Sequence, residues 1–333
     1  MPEQTKLTIT QIASRIGVSK STVSRVINKD KDVSPKTRSR VEAALKEIGY
    51  TPDPFARSLK TGRSQILQLV VAEVDSFFIP TIMQGIEKAA YENGYRLLLS
   101  SLDYERRTVA PDGMVAGIIY AIDPVASIDI QAVIPNQSMP VVCVYGYEEN
   151  GFCPSILPDD EGGAYEAVRH LASVGRKNIV HIPGLDSYIA TGSRREGYLR
   201  AMKDSGLEDN ILIAGSNVYS EFNGYMTMID LIRRQIPFDA VFAGNDQIAA
   251  GVYRGLAELG LSIPGDVALV GFDDKEYAEI MNPPLTTMAL PLQDMGRRAC
   301  LKLIDCIRSG SPNGPGLYKP EYLSCLMAKR LSA

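Results

Sequence analysis

A chain of 333 residues, 45% of them hydrophobic, with a net charge of −4, has apolar material for two or three globular units, while no run reaches the about 20 apolar residues that cross a membrane. Its N-terminus, MPEQTKLT, lacks a basic-then-apolar leader pattern, so a cytoplasmic protein with no membrane partner is expected. Five cysteines (Cys143, Cys153, Cys300, Cys306 and Cys325) show no CxxC spacing, which argues against a metal ribbon or a disulfide framework and reads as small buried apolar residues.

The segment Leu7 to Asn28, LTITQIASRIGVSKSTVSRVIN, predicts two short helices joined by a tight turn. Ile9, Ile12, Ala13 and Ile16 recur at helical spacing, Gly17 breaks the first helix, and Val23, Val26 and Ile27 turn inward from the second. The remaining face carries Lys20, Ser21, Thr22 and Arg25, side chains that can read base edges in a DNA major groove. Charge supports this reading. Residues 1–60 hold 12 Lys+Arg against 6 Asp+Glu, a surplus of six positive charges, and the remainder holds 23 against 33, a surplus of ten negative ones. A basic tip on an acidic body suits a module that meets a polyanion.

Ser34-Pro35 reads as a cap with proline at the first helical position, and Val41, Ala44, Leu45 and Ile48 give a third helix its packing stripe, ended by Gly49. Prolines 52 and 54 then enforce an extended exit before a short segment, Phe55 to Lys60, that would fold only on a partner. From Ile66 the texture changes to strands alternating with amphipathic helices. Strands are expected at Ile66–Ala72, Arg96–Ser101, Gly117–Ala121, Val141–Tyr145, Asn178–Ile182, Ala240–Ala243 and Val267–Phe272. Helices are expected at Ile79–Asn93, Glu161–Val174, Ser193–Ser205, Ile248–Leu259 and Met295–Ser309. This alternation predicts parallel sheets covered on both faces, and about 270 residues of it divide more readily into two α/β lobes around a cleft than into one core. Catalysis is disfavoured: there is no GxSxG elbow, HExxH or P-loop, and the two histidines, His170 and His181, read as packing or surface groups.

Six segments resemble the lactose-repressor/galactose-repressor (LacI/GalR) family of bacterial regulators, in family order along nearly the whole chain. They are GVSKSTVSRVIN (Gly17 to Asn28), YTPDPFARSLKTGRS (Tyr50 to Ser64), DDEGGAYEAVRHL (Asp159 to Leu171), RREGYLRAM (Arg194 to Met202), AGNDQIAAG (Ala243 to Gly251) and VGFDDKE with NPPLTTM (Val270 to Met288). The resemblance implies an all-α helix-turn-helix headpiece over 1–50, a hinge over 51–64 and a core over 65–333. That core is implied to be two doubly wound parallel-sheet lobes like a periplasmic sugar-binding protein, about 65–160 with 294–318, and about 161–293 with 319–333.

On this resemblance Lys20 and Ser21 discriminate bases, with Thr22 and Arg25 beside them and Thr8, Ser19, Ser24 and Asn28 placed for phosphate or edge contacts. Leu59 matches the hinge leucine that wedges between base pairs, with Ala56 and Ser58 near the groove floor. The implied effector residues are Arg194, Asn245, Asp273 and Tyr219, with Phe78, Ile79 and Ile82 as an apolar wall. Tyr145 and Ala190 replace the carboxylate and serine of the lactose type, which points away from the same galactoside, and TGSRR (Thr191 to Arg195) resembles a branch whose ligand is a sugar phosphate, with Arg195 as the added cation. Each type also has a structural use: arginine pairs with acids, asparagine and aspartate shape turns, and Tyr219 and Phe78 suit a core. The expected whole is a homodimeric repressor on a pseudo-palindromic operator, controlled by a small sugar or sugar phosphate, with no cofactor or metal; a sugar-binding protein without DNA function is the alternative.

Overall fold

The computed structural model describes residues 8–27, 30, 32–50, 64–71, 76–101, 114–121, 139–146, 151–311, 313–314 and 316–333. The chain divides into two compact units, Met1–Gln65 and Ile66–Ala333.

In the first unit, α1 (Ile9–Arg15), α2 (Lys20–Ile27) and α3 (Pro35–Ile48) follow from local signals. Thr8 caps α1 in a reciprocal box: the Gln11 amide donates to its Oγ1, and its own amide donates to Gln11 Oε1 at 2.8 Å. Gly17 turns at φ +64°, and Ser19 Oγ then accepts from the Thr22 amide at 3.1 Å to open α2. Ser34 caps α3, and Gly49 closes it in the left-handed region. Ile12, Ala13, Val23, Val26 and Val41 are buried at the centre, each larger aliphatic contributing about 1.5–3 kcal/mol through its burial.

The second unit holds two six-stranded sheets. The first contains β1 (Ile66–Val71), β2 (Arg96–Ser101), β3 (Gly117–Ala121), β4 (Val141–Val144), β5 (Ser155–Asp159) and β11 (Glu321–Ser324), in the order β11-β5-β4-β3-β1-β2. The second contains β6 (Ile179–Ile182), β7 (Leu212–Ile213), β8 (Ala240–Ala243), β9 (Ala268–Asp273), β10 (Thr286–Ala289) and β12 (Leu326–Ala328), in the order β12-β10-β9-β8-β6-β7. All pairings are parallel except β10 with β12. Among the described residues six helices cover them: α4 (Ile79–Glu92), α5 (Asp160–Ser173), α6 (Ile189–Asp204), α7 (Glu221–Arg233), α8 (Asp246–Glu258) and α9 (Leu292–Ser309). The lobe bounds need one correction. Residues 319–333 do not all join the second lobe, because Glu321–Ser324 extend the first sheet through β5, and only from Leu326 does the chain pair with β10.

Helix α7 and strands β5, β7, β10, β11 and β12 were not among the expected elements, and α6 begins four residues earlier than expected. Helices pack closely through glycine. A Cβ on Gly85 of α4 would stand 2.0 Å from the Gln293 carbonyl oxygen of α9, and one on Gly224 of α7 would stand 2.0 Å from the Ile248 carbonyl oxygen of α8. A continuous apolar cluster runs from Leu67 and Ile119 in the first lobe to Val270 and Phe272 in the second. All five cysteines are buried and outside any disulfide, as their apolar reading required. Among the described residues no helix is long and apolar enough to cross a membrane.

Candidate functional site

In the helical unit, Lys20, Ser21 and Arg25 are exposed on α2, while Val23 and Val26 of the same helix are buried. The periodicity therefore sorts the two faces as the spacing required. Thr8 and Ser19 act as helix caps, so their hydroxyls are already engaged locally, and Ser19 Oγ also meets Ser21 Oγ at 2.7 Å and Thr22 Oγ1 at 2.8 Å. Arg25 Nε lies 3.8 Å from Asp30 Oδ2, an exposed pair worth little in stability. Thr22 and Ser24 are partly exposed. Asn28, Ala56, Ser58 and Leu59 lie outside the described residues.

In the α/β unit, strand ends and helix starts converge on a cavity of about 160 Å³. The place is the one where parallel α/β sheets offer ligand sites. At its floor lies Arg194 of α6, only 3% exposed. Its Nε donates to Asp160 Oδ1 at 2.8 Å, its Nη1 to the Gly244 carbonyl at 2.6 Å, and its Nη2 to Asp273 Oδ1 at 3.4 Å. The guanidinium also stacks 3.7 Å from the Phe272 ring centroid. Burial opposes its charge, but Asp160, Tyr219 and Asp273 hold its pKa above the ordinary value.

Asp273 reaches the cavity because β9 ends in a left-handed turn, with φ +106° at Asp273 and +57° at Asp274. Burial pushes its carboxyl up to about 6, with Arg194 pulling against that, so at pH 7 it is mainly an acceptor. Asn245 caps α8: its Oδ1 accepts from the Ile248 amide at 3.0 Å, which leaves its side-chain NH2 as a donor. The capping role and the position at the cavity coexist. The Tyr219 hydroxyl meets Thr191 Oγ1 at 2.8 Å, and its ring lies edge-on to Tyr188 at 5.6 Å. Gly184 is forced by this ring, since a Cβ there would stand 2.1 Å from it. Opposite, Phe78 and Tyr145 have centroids 4.7 Å apart, with Tyr145 at φ +71°.

Of the sequence-derived effector residues, Phe78, Tyr145, Arg194, Tyr219, Asn245 and Asp273 line this one cavity. Ile79 and Ile82 do not: they point into the first-lobe core, where Ile82 is wholly buried. The reason is that α4 turns the side bearing Ile82, Ile86 and Ala89 toward the sheet, leaving only its preceding residue, Phe78, at the cavity. Arg195 also lies elsewhere, 40% exposed and 3.8 Å from Asp186; neighbouring helical residues diverge by about 100°. Besides Arg194, the cation that lines the cavity is Lys275, whose Nζ sits 5.0 Å from the Phe77 ring centroid. Tyr188, Gln247 and Lys275 were missed by sequence reading, although Lys275 directly follows the FDD motif.

Comparison with known proteins agrees with both units. Residues 8–53 match the bacterial regulatory proteins of the lacI family, and residues 168–322 match the periplasmic binding protein-like domain. The HTH-type transcriptional repressor PurR of Serratia proteamaculans (strain 568) is 31% identical over 311 residues, 91% of each chain. The ribose operon repressor of Escherichia coli (strain K12) is 32% identical over 306 residues, 89% of this chain and 92% of the relative. Among solved structures, the Lac repressor dimer bound to operator and the anti-inducer ONPF superposes with a TM-score of 0.81 at 25% identity, over 98% of both chains. With a helix-turn-helix unit, two parallel-sheet lobes and relatives that match from end to end, the chain belongs to the lacI family of bacterial transcriptional regulators.

Proposed function

We propose that the chain is a cytoplasmic repressor that binds a pseudo-palindromic operator as a homodimer and changes its grip when a small sugar or sugar phosphate occupies the Arg194–Asp273 cavity. Lys20 and Ser21 read base edges, and Arg25 and Thr22 support them. Two heads on a two-fold dimer face two half-sites. The Lac repressor is described as an operator-bound dimer with an anti-inducer, and the E. coli relative as a ribose operon repressor; these names support the class of partner and of effector.

The observation that carries the reading is the polar floor set against aromatic walls. Arg194 is locked by two carboxylates and a carbonyl, which fixes Asp273, while the Asn245 amide stands ready to donate beside it. Such a floor pairs with vicinal hydroxyls, and Phe78, Tyr145, Tyr188 and Tyr219 present rings to the apolar face of a sugar. A sugar-binding protein without DNA function leaves the exposed basic face of α2 unexplained.

Fluorescence anisotropy of the full chain on a duplex selected from a random pool tests this. A selected near-palindrome should bind well above bulk duplex, and one sugar or sugar phosphate should shift its Kd by about 5- to 150-fold. Equal binding to all duplexes overturns the DNA reading, and indifference to every sugar overturns the effector reading.

A further inference from the structure

Behind the cavity, and not lining it, lies Asp246, the first residue of α8 and 0% exposed. Its Oδ2 accepts from the Lys275 amide at 2.7 Å, and its Oδ1 accepts from Thr287 Oγ1 of β10 at 2.6 Å. The two bonds tie α8 and β10 to the far end of the left-handed turn formed by Asp273 and Asp274. That turn aims one cavity residue, Asp273, and places another, Lys275. The approach is close: a Cβ on Gly271 would stand 2.3 Å from Asp246 Oδ1.

A non-glycine residue at positive φ carries backbone strain, which persists only where the surroundings over-determine it. Here the determinants are the Asp246 carboxylate on one side and Arg194 on the other. We propose that Asp246 is a positioning residue for the effector site: it clips the turn after β9, and through that turn sets where the Asp273 carboxylate and Lys275 meet the ligand. The proposal rests on the cavity being the effector site.

The clip is also electrically coupled to what it positions. Burial, and then the neighbouring Asp273, push Asp246 up to about 7, while burial pushes Asp273 up to about 6. The other groups acting on Asp246 or paired with its neighbours are Asp274, itself bound to Arg330 at 2.8 Å, Lys275, Tyr253 on the same helix and Tyr277 in the short turn Glu276–Ala278. Asp273 is held by Arg194, which Asp160 shares. As pH falls, the pair takes up protons in two steps that belong to both carboxyls jointly, and one proton falls on Asp246. The clip survives that proton, because a protonated Oδ1 donates to Thr287 Oγ1 while Oδ2 still accepts from Lys275. Above this step the second negative charge beside Asp273 strengthens it as an acceptor for a ligand hydroxyl. Effector affinity therefore rises with pH in two steps that the coupled pair shares.

Asp246→Asn keeps both bonds and removes the charge, and Asp246→Ala removes both bonds. In the full chain, amide hydrogen exchange at Lys275 should be slow in wild type and Asp246→Asn, and faster in Asp246→Ala. Carboxyl carbon NMR should show the Asp246 midpoint falling in Asp273→Asn, because a like charge is removed. Calorimetry with D-glucose, D-galactose, D-ribose and glucose 6-phosphate should show that whichever of them binds wild type binds Asp246→Ala about tenfold more weakly. Asp246→Asn should retain that affinity near pH 6.5 but lose the upper step of its pH profile. Unchanged exchange and affinity in Asp246→Ala, or an Asp246→Asn profile that superposes on wild type, overturns the proposal. If none of the four sugars binds wild type while exchange and NMR behave as stated, the clip stands and the effector reading is what fails.

Discussion

Arg194 shows how one residue serves stability and recognition together. It is buried between Asp160 and Asp273, and removing it leaves two carboxylates without their cation. Arg194→Ala should therefore destabilise the α/β unit by about 3–5 kcal/mol in urea titration as well as abolish any effector response; an unaltered unfolding midpoint contradicts the pairing. His181 offers a second residue-scale test. It lies wholly buried between Tyr198 and Phe242, at centroid distances of 5.3 and 4.9 Å, and its Nε2 has no hydrogen-bond partner among the described residues. Burial lowers its pKa to about 4. The unfolded chain thus binds a proton that the folded chain refuses, and stability is lost as pH falls from about 6.5 toward 4. His181→Phe should escape this loss, so its stability relative to wild type should grow by about 3 kcal/mol between pH 7 and pH 4. At this scale the motifs around Arg194, Asn245 and Asp273 were legible because each residue type carries its chemistry locally. Asp160 as partner was not, since 34 residues separate it from Arg194 and only the fold joins them.

Among elements, the long amphipathic segments were the readable ones. The four-residue strands β8 and β4 were legible from apolar runs, whereas β11 alternates in exposure and β12 spans only three residues, both at sheet edges. Helix α7 was missed although Ser220 caps it by accepting from the Asn223 amide at 3.1 Å. Its Gly224 and Thr227 weaken the helical pattern, and the need for that glycine is set by α8, not by α7 itself. The same logic separates two glycines by experiment. Gly85→Ala forces α4 away from α9 and should cost about 1–3 kcal/mol. Gly192→Ala in α6 meets nothing within 4 Å and should stabilise by about 0.5–1 kcal/mol. Thermal unfolding compares them, and equal shifts would mean that the helix contact yields without cost.

At the level of the whole molecule, positive charge gathers in the first 60 residues and negative charge in the remainder. Operator binding should accordingly weaken steeply with salt, by about 10³-fold between 50 and 200 mM if about six phosphates are contacted, as read by anisotropy at several salt concentrations. A shallow slope would place the binding energy outside the basic head. The α/β unit is threaded between its two sheets three times: where β5 passes into α5, where β10 leads to α9, and between β11 and β12. Three side-by-side tethers leave a swing about their common line as the soft motion, while sliding and twisting strain backbone in all of them at once. A molecule lodged between the sheets then does mechanical work along a single coordinate, so quite different occupants can produce the same output provided they fill the gap to the same angle.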